Sequence, residues 1–174
     1  MSTEPLSAPT RDLLRQIGTA TLTSQLLARG LRNTFMQNVQ RLTTGGPVMV
    51  GEAFTLRYIP AREDIDTLDV FQDYDHPQRR AIETCPEGHV LVMDCRGDAS
   101  AASAGSILVT RLMMRGAAGL VTDGGLRDSP EICDFEIPTY IGAPSAPTTR
   151  WPCRCRDTVR RSSRPSRSPP RSPS

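Results

Sequence analysis

The chain has 174 residues and a mass of 19.0 kDa, enough for one ordinary domain with a buried core. Its formal net charge of +2 hides a split: residues 1–143 carry 13 Arg against 18 acids, whereas residues 144–174 carry 8 Arg against Asp157 alone. The pI near 8.4 therefore averages an acidic body and a basic tail, and it excludes reading the body as a nucleic-acid binder from charge.

In chain order, Thr10 is placed to cap a first helix over residues 11–17, and a second helix runs from Thr23 or Ser24 to Arg29 before Gly30. A short strand is expected around Phe35-Met36, and residues 43–47 form a turn by composition. Residues 48–59 alternate in their second half and predict a strand closed by Pro60. The acidic stretch 61–77 is expected to be a loop reaching over a site, followed by a short helix at 78–83 and a turn at 86–88. Residues 89–94, with Val90 to Met93 apolar without alternation, read as a buried strand. The small, flexible stretch 96–105 then opens an apolar helix over 106–115, stopped by Gly116. A second buried strand ends in the turn around Gly124-Gly125. These three elements make a βαβ unit with parallel strands. Ser129 caps a further helix with Pro130 in its first turn, and residues 138–142 form another short strand.

Beyond this the text changes. Residues 144–174 hold 7 Pro, 7 Ser and 8 Arg among 31 residues, with Trp151 and Val159 as the sizeable apolar side chains. Such composition does not offset the ordering entropy of a fold, so a disordered tail is expected at 149–174 after a domain at 1–148. Five cysteines without a spaced framework argue against a disulfide scaffold, and Cys153-Arg-Cys155 lacks the spacing of a zinc site. No leader is visible at residues 1–12 and no apolar run reaches the ~18 residues of a membrane span. A soluble cytoplasmic protein is expected, with neither membrane nor DNA as partner.

Two constellations carry chemistry. Asp123, Arg127 and Asp128 follow the second buried strand, where a carboxylate is a hard oxygen ligand for Mg²⁺ or Mn²⁺ and an arginine offers a fork of donors to an oxyanion. The residues alone fit a surface turn with a local salt bridge equally well. The second constellation is the helix entrance Gly105-Ser106-Ile107-Leu108, whose free amides attract anions, although plain helix entry explains it too. In a βαβ unit both lie at the carboxyl edge of the strands, where ligands bind such sheets. With His76 and His89 as its histidines, the chain has little for zinc chemistry or a Ser-His-Asp triad. The series Asp64, Asp66, Asp69, Asp73 and Asp75 lacks calcium-loop spacing and reads as solvated loop.

The run from Ala104 through Leu108, and that from Arg115 through Asp128, resemble the RraA-like family of ribonuclease regulators and 4-hydroxy-4-methyl-2-oxoglutarate aldolases. The resemblance implies an α/β fold, a layered α/β/β/α sandwich of the swivelling β/β/α type, with subunits in trimers or rings. It implies a metal-dependent lyase that cleaves 2-oxo acids to pyruvate and decarboxylates oxaloacetate, or alternatively a regulator that binds an RNA-processing ribonuclease. By the same resemblance Asp128 ligates the metal, most simply Mg²⁺ or Mn²⁺, and Arg127 binds substrate oxygen and stabilises the enolate. The amides of Gly105, Ser106, Ile107 and Leu108 hold the substrate carboxylate. The acidic residue that aldolases carry at the position of Ser106 is replaced here by a hydroxyl, removing a carboxylate that could organise metal-bound water. The family's further glycine-rich segment and closing helix have no counterpart in the tail, which reads as out-of-frame translation.

Overall fold

The computed structural model describes residues 5–60, 72–146 and 153–156. The first helix, α1 (Ala8–Arg15), starts a turn earlier than expected, because Ser7 rather than Thr10 caps it: Ser7 Oγ accepts from the Thr10 amide at 3.4 Å. Pro9 falls in the first turn, where a missing N–H costs no intrahelical bond. Helix α2 (Thr19–Ala28) likewise begins early, after Gly18, and the left-handed Gly30 (φ 80°) ends it. Neither helix buries a residue. The strand expected at Phe35-Met36 does not form; both side chains are exposed, and pairing starts instead at β1 (Gln40–Arg41).

The remaining elements are β2 (Ala53–Pro60), α3 (Pro77–Thr84), β3 (Val90–Asp94), β4 (Ala102–Ala104), α4 (Ser106–Met114), β5 (Gly119–Thr122), β6 (Gly125–Leu126), α5 (Ser129–Ile132), β7 (Thr139–Ile141), β8 (Ala143–Pro144) and β9 (Cys153–Arg156). A six-stranded sheet has the order β1-β7-β5-β3-β2-β9, and a second sheet has the order β4-β6-β8. Strands β7, β5, β3 and β2 are mutually parallel, with antiparallel β1 and β9 at the two edges. The expected βαβ unit is present: β3 and β5 pair in parallel from Val90↔Gly119 to Met93↔Thr122, with α4 between them in sequence. Their continuous apolar character follows from this central position, for Leu91 and Leu120 are fully buried.

The molecule is a layered α/β sandwich in which one unit repeats: a strand in the large sheet, a strand in the small sheet, then a helix. β3-β4-α4 is followed by β5-β6-α5 and then by β7-β8. The stretch expected to be flexible at 96–105 thus contains β4, and the glycine turn contains β6; both strands are too short to show a period. The crossings between sheets are tight. A Cβ on Gly124 would stand 2.7 Å from the Cys95 Cβ, and one on Gly142 would stand 2.5 Å from the Asp123 carbonyl. Glycine is required there by close approach.

The core runs between sheet and helices, with Leu56, Tyr58, Met93, Leu112, Leu126, Ile132 and Ile141 buried in one cluster. Leu112 of α4 is fully buried against it, and Arg111 on the outer side forks onto Glu83 of α3 at 2.8 and 2.7 Å. The expected loop over a site falls, for residues 61–71, outside the described residues. So does the tail except for Cys153–Arg156, which is not unstructured but forms strand β9, paired from Arg57↔Arg156 to Pro60↔Cys153. The open backbone edge of β2 supplies the hydrogen bonds that composition could not foretell. No helix among the described residues is long and apolar enough to cross a membrane.

Candidate functional site

The helix α4 begins at Ser106 with Gly105 as an extended N-cap residue, which has no side chain of its own to cap the first amides. Strand β6 pairs in parallel with β4, and the Arg127 amide donates to the Ala104 carbonyl at 3.1 Å. This pairing carries Arg127 and Asp128 directly onto the helix entrance. Asp128 Oδ2 accepts from the Ser106 amide at 3.1 Å, and Arg127 Nε lies 3.4 Å from the same oxygen. Two constellations separated by some twenty residues of sequence therefore occupy one place.

Gly105 makes that contact possible. A Cβ there would meet Asp128 Oδ2 at 2.8 Å and Arg127 Cγ at 3.0 Å. Asp128 adopts a left-handed backbone (φ 58°, ψ 31°), a conformation that aspartate tolerates better than most residues, and it rather than Ser129 is the N-cap of α5. Ser129 instead donates from Oγ to the Leu126 carbonyl at 2.9 Å. The Ser106 amide holds the Asp128 carboxyl below the usual carboxylate range; burial opposes this, and the Arg127 charge and hydrogen bond support it. Both side chains keep over a third of their surface open, at 40% for Arg127 and 36% for Asp128.

The other expected amides differ in their availability. Leu108 N donates to the Gly105 carbonyl at 3.1 Å and so belongs to the helix's own first turn. Ile107 lies one residue earlier, where helix geometry offers no intrahelical acceptor, and its side chain is 81% exposed beside the site. Asp123 stands apart from the cluster. Its Oδ1 accepts from the Cys95 amide at 2.5 Å and its Oδ2 from the Gly97 amide at 2.8 Å. It clamps the turn after β3, where Arg96 and Gly97 both have positive φ. Of the acidic series only Asp73 and Asp75 lie within the described residues.

The residues the sequence reading missed are buried ones behind the site. Tyr58, Gln78, Ser103 and Thr122 join by hydrogen bonds under the helix entrance. Thr122, closing the apolar run Leu120-Val121, was the one visible signal of a polar contact there. An open groove of about 640 Å³ lies elsewhere, lined by Thr19, Thr23, Leu27, Leu31 and Phe35, and shares no lining residue with the site. Among the described residues no three His, Cys, Asp or Glu side chains are grouped to hold a metal.

Comparison with known proteins agrees with this architecture. The family profile described as RraA-like: Aldolase/RraA matches residues 19–155. Among solved structures, Streptomyces coelicolor RraAS2, described as an unusual member of the RNase ES inhibitor RraA protein family, superposes with a TM-score of 0.72 at 24% identity, over 88% of this chain and 72% of that one. The RNA-processing inhibitor RraA from Thermus thermophilis matches at 26% identity and a TM-score of 0.53, covering 72% of this chain and 68% of that one. A Geobacillus kaustophilus protein described as an S-adenosylmethionine: 2-dimethylmenaquinone methyltransferase matches at 27% identity and a TM-score of 0.52, covering 79% and 78%.

Proposed function

This chain belongs to the RraA-like family, whose description joins aldolases with RraA proteins, and from that premise we propose that it is a divalent-metal-dependent lyase of small 2-oxo acids. The observation that carries the reading is the meeting of Arg127, Asp128 and the α4 entrance at one open edge of the sandwich. A cation, an anion and a helix N-terminus at such an edge suit a substrate that carries a carboxylate and develops an enolate.

The residues present fit Mg²⁺ or Mn²⁺ better than zinc. Asp128 is one hard, accessible carboxylate without neighbouring His or Cys ligands, and Mg²⁺ commonly keeps several waters and takes one or two carboxylates. When bound at Asp128, the dication supplies positive charge beside the substrate's keto oxygen. The Ser106 amide is held by Asp128, so the Ile107 amide receives the substrate carboxylate, drawing it to the positive end of α4. Arg127 donates to the keto oxygen and follows it as it becomes an enolate oxygen. For oxaloacetate, the bond between C3 and the distal carboxylate breaks, its electron pair enters the enolate, and carbon dioxide leaves. A proton from water then returns C3 to the methyl group of pyruvate. Ser106, which is 8% exposed and carries no acid, leaves that protonation to solvent.

The test is pyruvate release from oxaloacetate with Mg²⁺, coupled to lactate dehydrogenase. Turnover above metal alone, strongly reduced in Asp128→Asn, is expected; none from folded protein overturns the lyase reading. A second reading rests on the Thermus neighbour, described as an RNA-processing inhibitor: a regulator that binds a ribonuclease. Capture of a purified RNA-processing ribonuclease by this protein, with no lyase turnover, would favour it. Family membership also supports a cytoplasmic homo-oligomer, a trimer or ring, which light scattering would measure.

A further inference from the structure

We propose that Ser103 is a positioning residue that sets the distance between the two halves of the site, and that Tyr58, Gln78 and Thr122 hold it in place. The proposal rests on the lyase reading above and concerns residues that touch neither substrate nor metal. Ser103 lies two residues before Gly105 in β4, and its partner Gly125 lies two residues before Arg127 in β6. The hydroxyl of Ser103 donates to the Gly125 carbonyl at 2.9 Å, tying the strand that feeds the amides to the strand that feeds Arg127 and Asp128. The β4–β6 register is irregular between Ala102 and Ala104, so strand pairing alone fixes this spacing weakly.

Counting protons gives the network a direction. Ser103 has one hydroxyl proton and gives it to Gly125, so at the 3.1 Å contact Thr122 is the donor and Ser103 Oγ the acceptor. Thr122 Oγ1 in turn accepts from the Gly124 amide at 3.1 Å, and the Cys95 thiol lies 3.4 Å from it. On the other side of the strand, the Ser103 carbonyl accepts from the Tyr58 hydroxyl at 2.7 Å and from Gln78 Nε2. Gln78 spends its second proton on the Tyr58 oxygen at 3.2 Å. Ser103, Tyr58, Gln78 and Thr122 are between 0% and 8% exposed, so each lost partner would leave a buried polar atom unsatisfied. A β2 side chain, an α3 side chain and a β5 side chain thus converge on one β4 residue, two positions behind the helix entrance.

Substitution at Ser103 or Thr122 leaves Arg127, Asp128 and the amides intact but loosens their mutual placement. Steady-state kinetics on Ser103→Ala and Thr122→Val with oxaloacetate and Mg²⁺ should show kcat lower by about ten-fold, as small misplacements of reacting groups produce. KM and the Mg²⁺ dissociation constant should move less than about three-fold, since the groups that bind are retained. Thr122→Ser keeps the hydroxyl and should restore kcat. Unchanged kcat in folded Ser103→Ala, or a loss that Thr122→Ser shares with Thr122→Val, would overturn the proposal. If Ser103→Ala does not fold, Tyr58→Phe takes its place with the same expectation. Should the wild-type protein prove inactive, the lyase reading fails while the positioning claim is still read by residue-resolved amide exchange in NMR. The Ser106 amide must then exchange about ten-fold faster in the variant while α3 amides stay unchanged, and equal exchange at Ser106 would reject the role.

Discussion

Asp128 Oδ2 accepts a hydrogen bond from the Ser106 amide at 3.1 Å, joining the β6–α5 junction of one β-β-α unit to the start of the helix in the unit before it. The contact pairs an anion with the positive end of α4, and it sets the carboxylate proposed as metal ligand beside the helix entrance proposed to take a substrate carboxylate. Replacement of Asp128 by Asn keeps an oxygen for the Ser106 amide but removes the charge. Mg²⁺-dependent turnover of oxaloacetate is expected to fall by roughly 10²-fold or more, with the thermal midpoint little changed. Arg127→Lys should cost about as much, because an ammonium lacks the planar fork.

Gly105 offers a sharper test of the same geometry. Its backbone (φ −130°, ψ −178°) is extended and open to any residue, so alanine brings no backbone strain. The added Cβ instead crowds Asp128 Oδ2 and the Arg127 side chain, both of which can move aside. Stability of Gly105→Ala should therefore change by less than about 1 kcal/mol. Oxalate affinity in the presence of Mg²⁺, measured calorimetrically, should weaken by about ten-fold.

Glu83 reports on the helix pair outside the site. The side-chain hydrogen bond from Arg111 lowers its carboxyl below the usual 4.5; burial opposes this, and the charges of Arg111 and Arg115 add to the lowering. A depressed folded value means stability that is present above the unfolded value near 4.5 and lost as pH falls through the folded one. The pair is half exposed, so Glu83→Gln should cost under about 1 kcal/mol at neutral pH. Urea unfolding should show that difference vanish well below pH 4.5.

Burial pushes the Cys85 thiol up to about 11, against a smaller opposing effect of the Arg115 charge. The reactive thiolate is then scarce at neutral pH, and access is closed as well. Alkylation followed by peptide mapping should modify half-buried Cys133 before Cys85, with Cys85 reacting only on unfolding.

Truncation of Leu112 to Ala removes a fully buried side chain from the last turn of α4. A loss of about 2–5 kcal/mol is expected from chemical denaturation, since a cavity remains under the helix that carries the site.

The sequence by itself determined the elements with strong period or length. Residues 89–94 and 119–122 announced buried parallel strands because both faces of β3 and β5 are covered, and the apolar run after Gly105 announced α4. It also placed Arg127 and Asp128 at a strand's end and the α4 entrance at the same edge, from the logic of a βαβ unit. It could not show β4, β6 and β8, since strands of two or three residues carry no period and exist only through their partners. The helix start at Ser7 was hidden by a choice between two equivalent hydroxyls three residues apart, which only the chain's approach direction resolves.

Tertiary structure decided the rest. It separated Asp123, whose carboxylate is used up by the Cys95 and Gly97 amides, from Asp128, whose carboxylate faces outward, although both are aspartates of one turn region. It gathered Tyr58, Gln78, Ser103 and Thr122, drawn from four elements, into one buried network. Local pattern reports what a segment buries. Which carboxylate is consumed, and which hydroxyls meet, depends on the stacking of two sheets that no single segment contains.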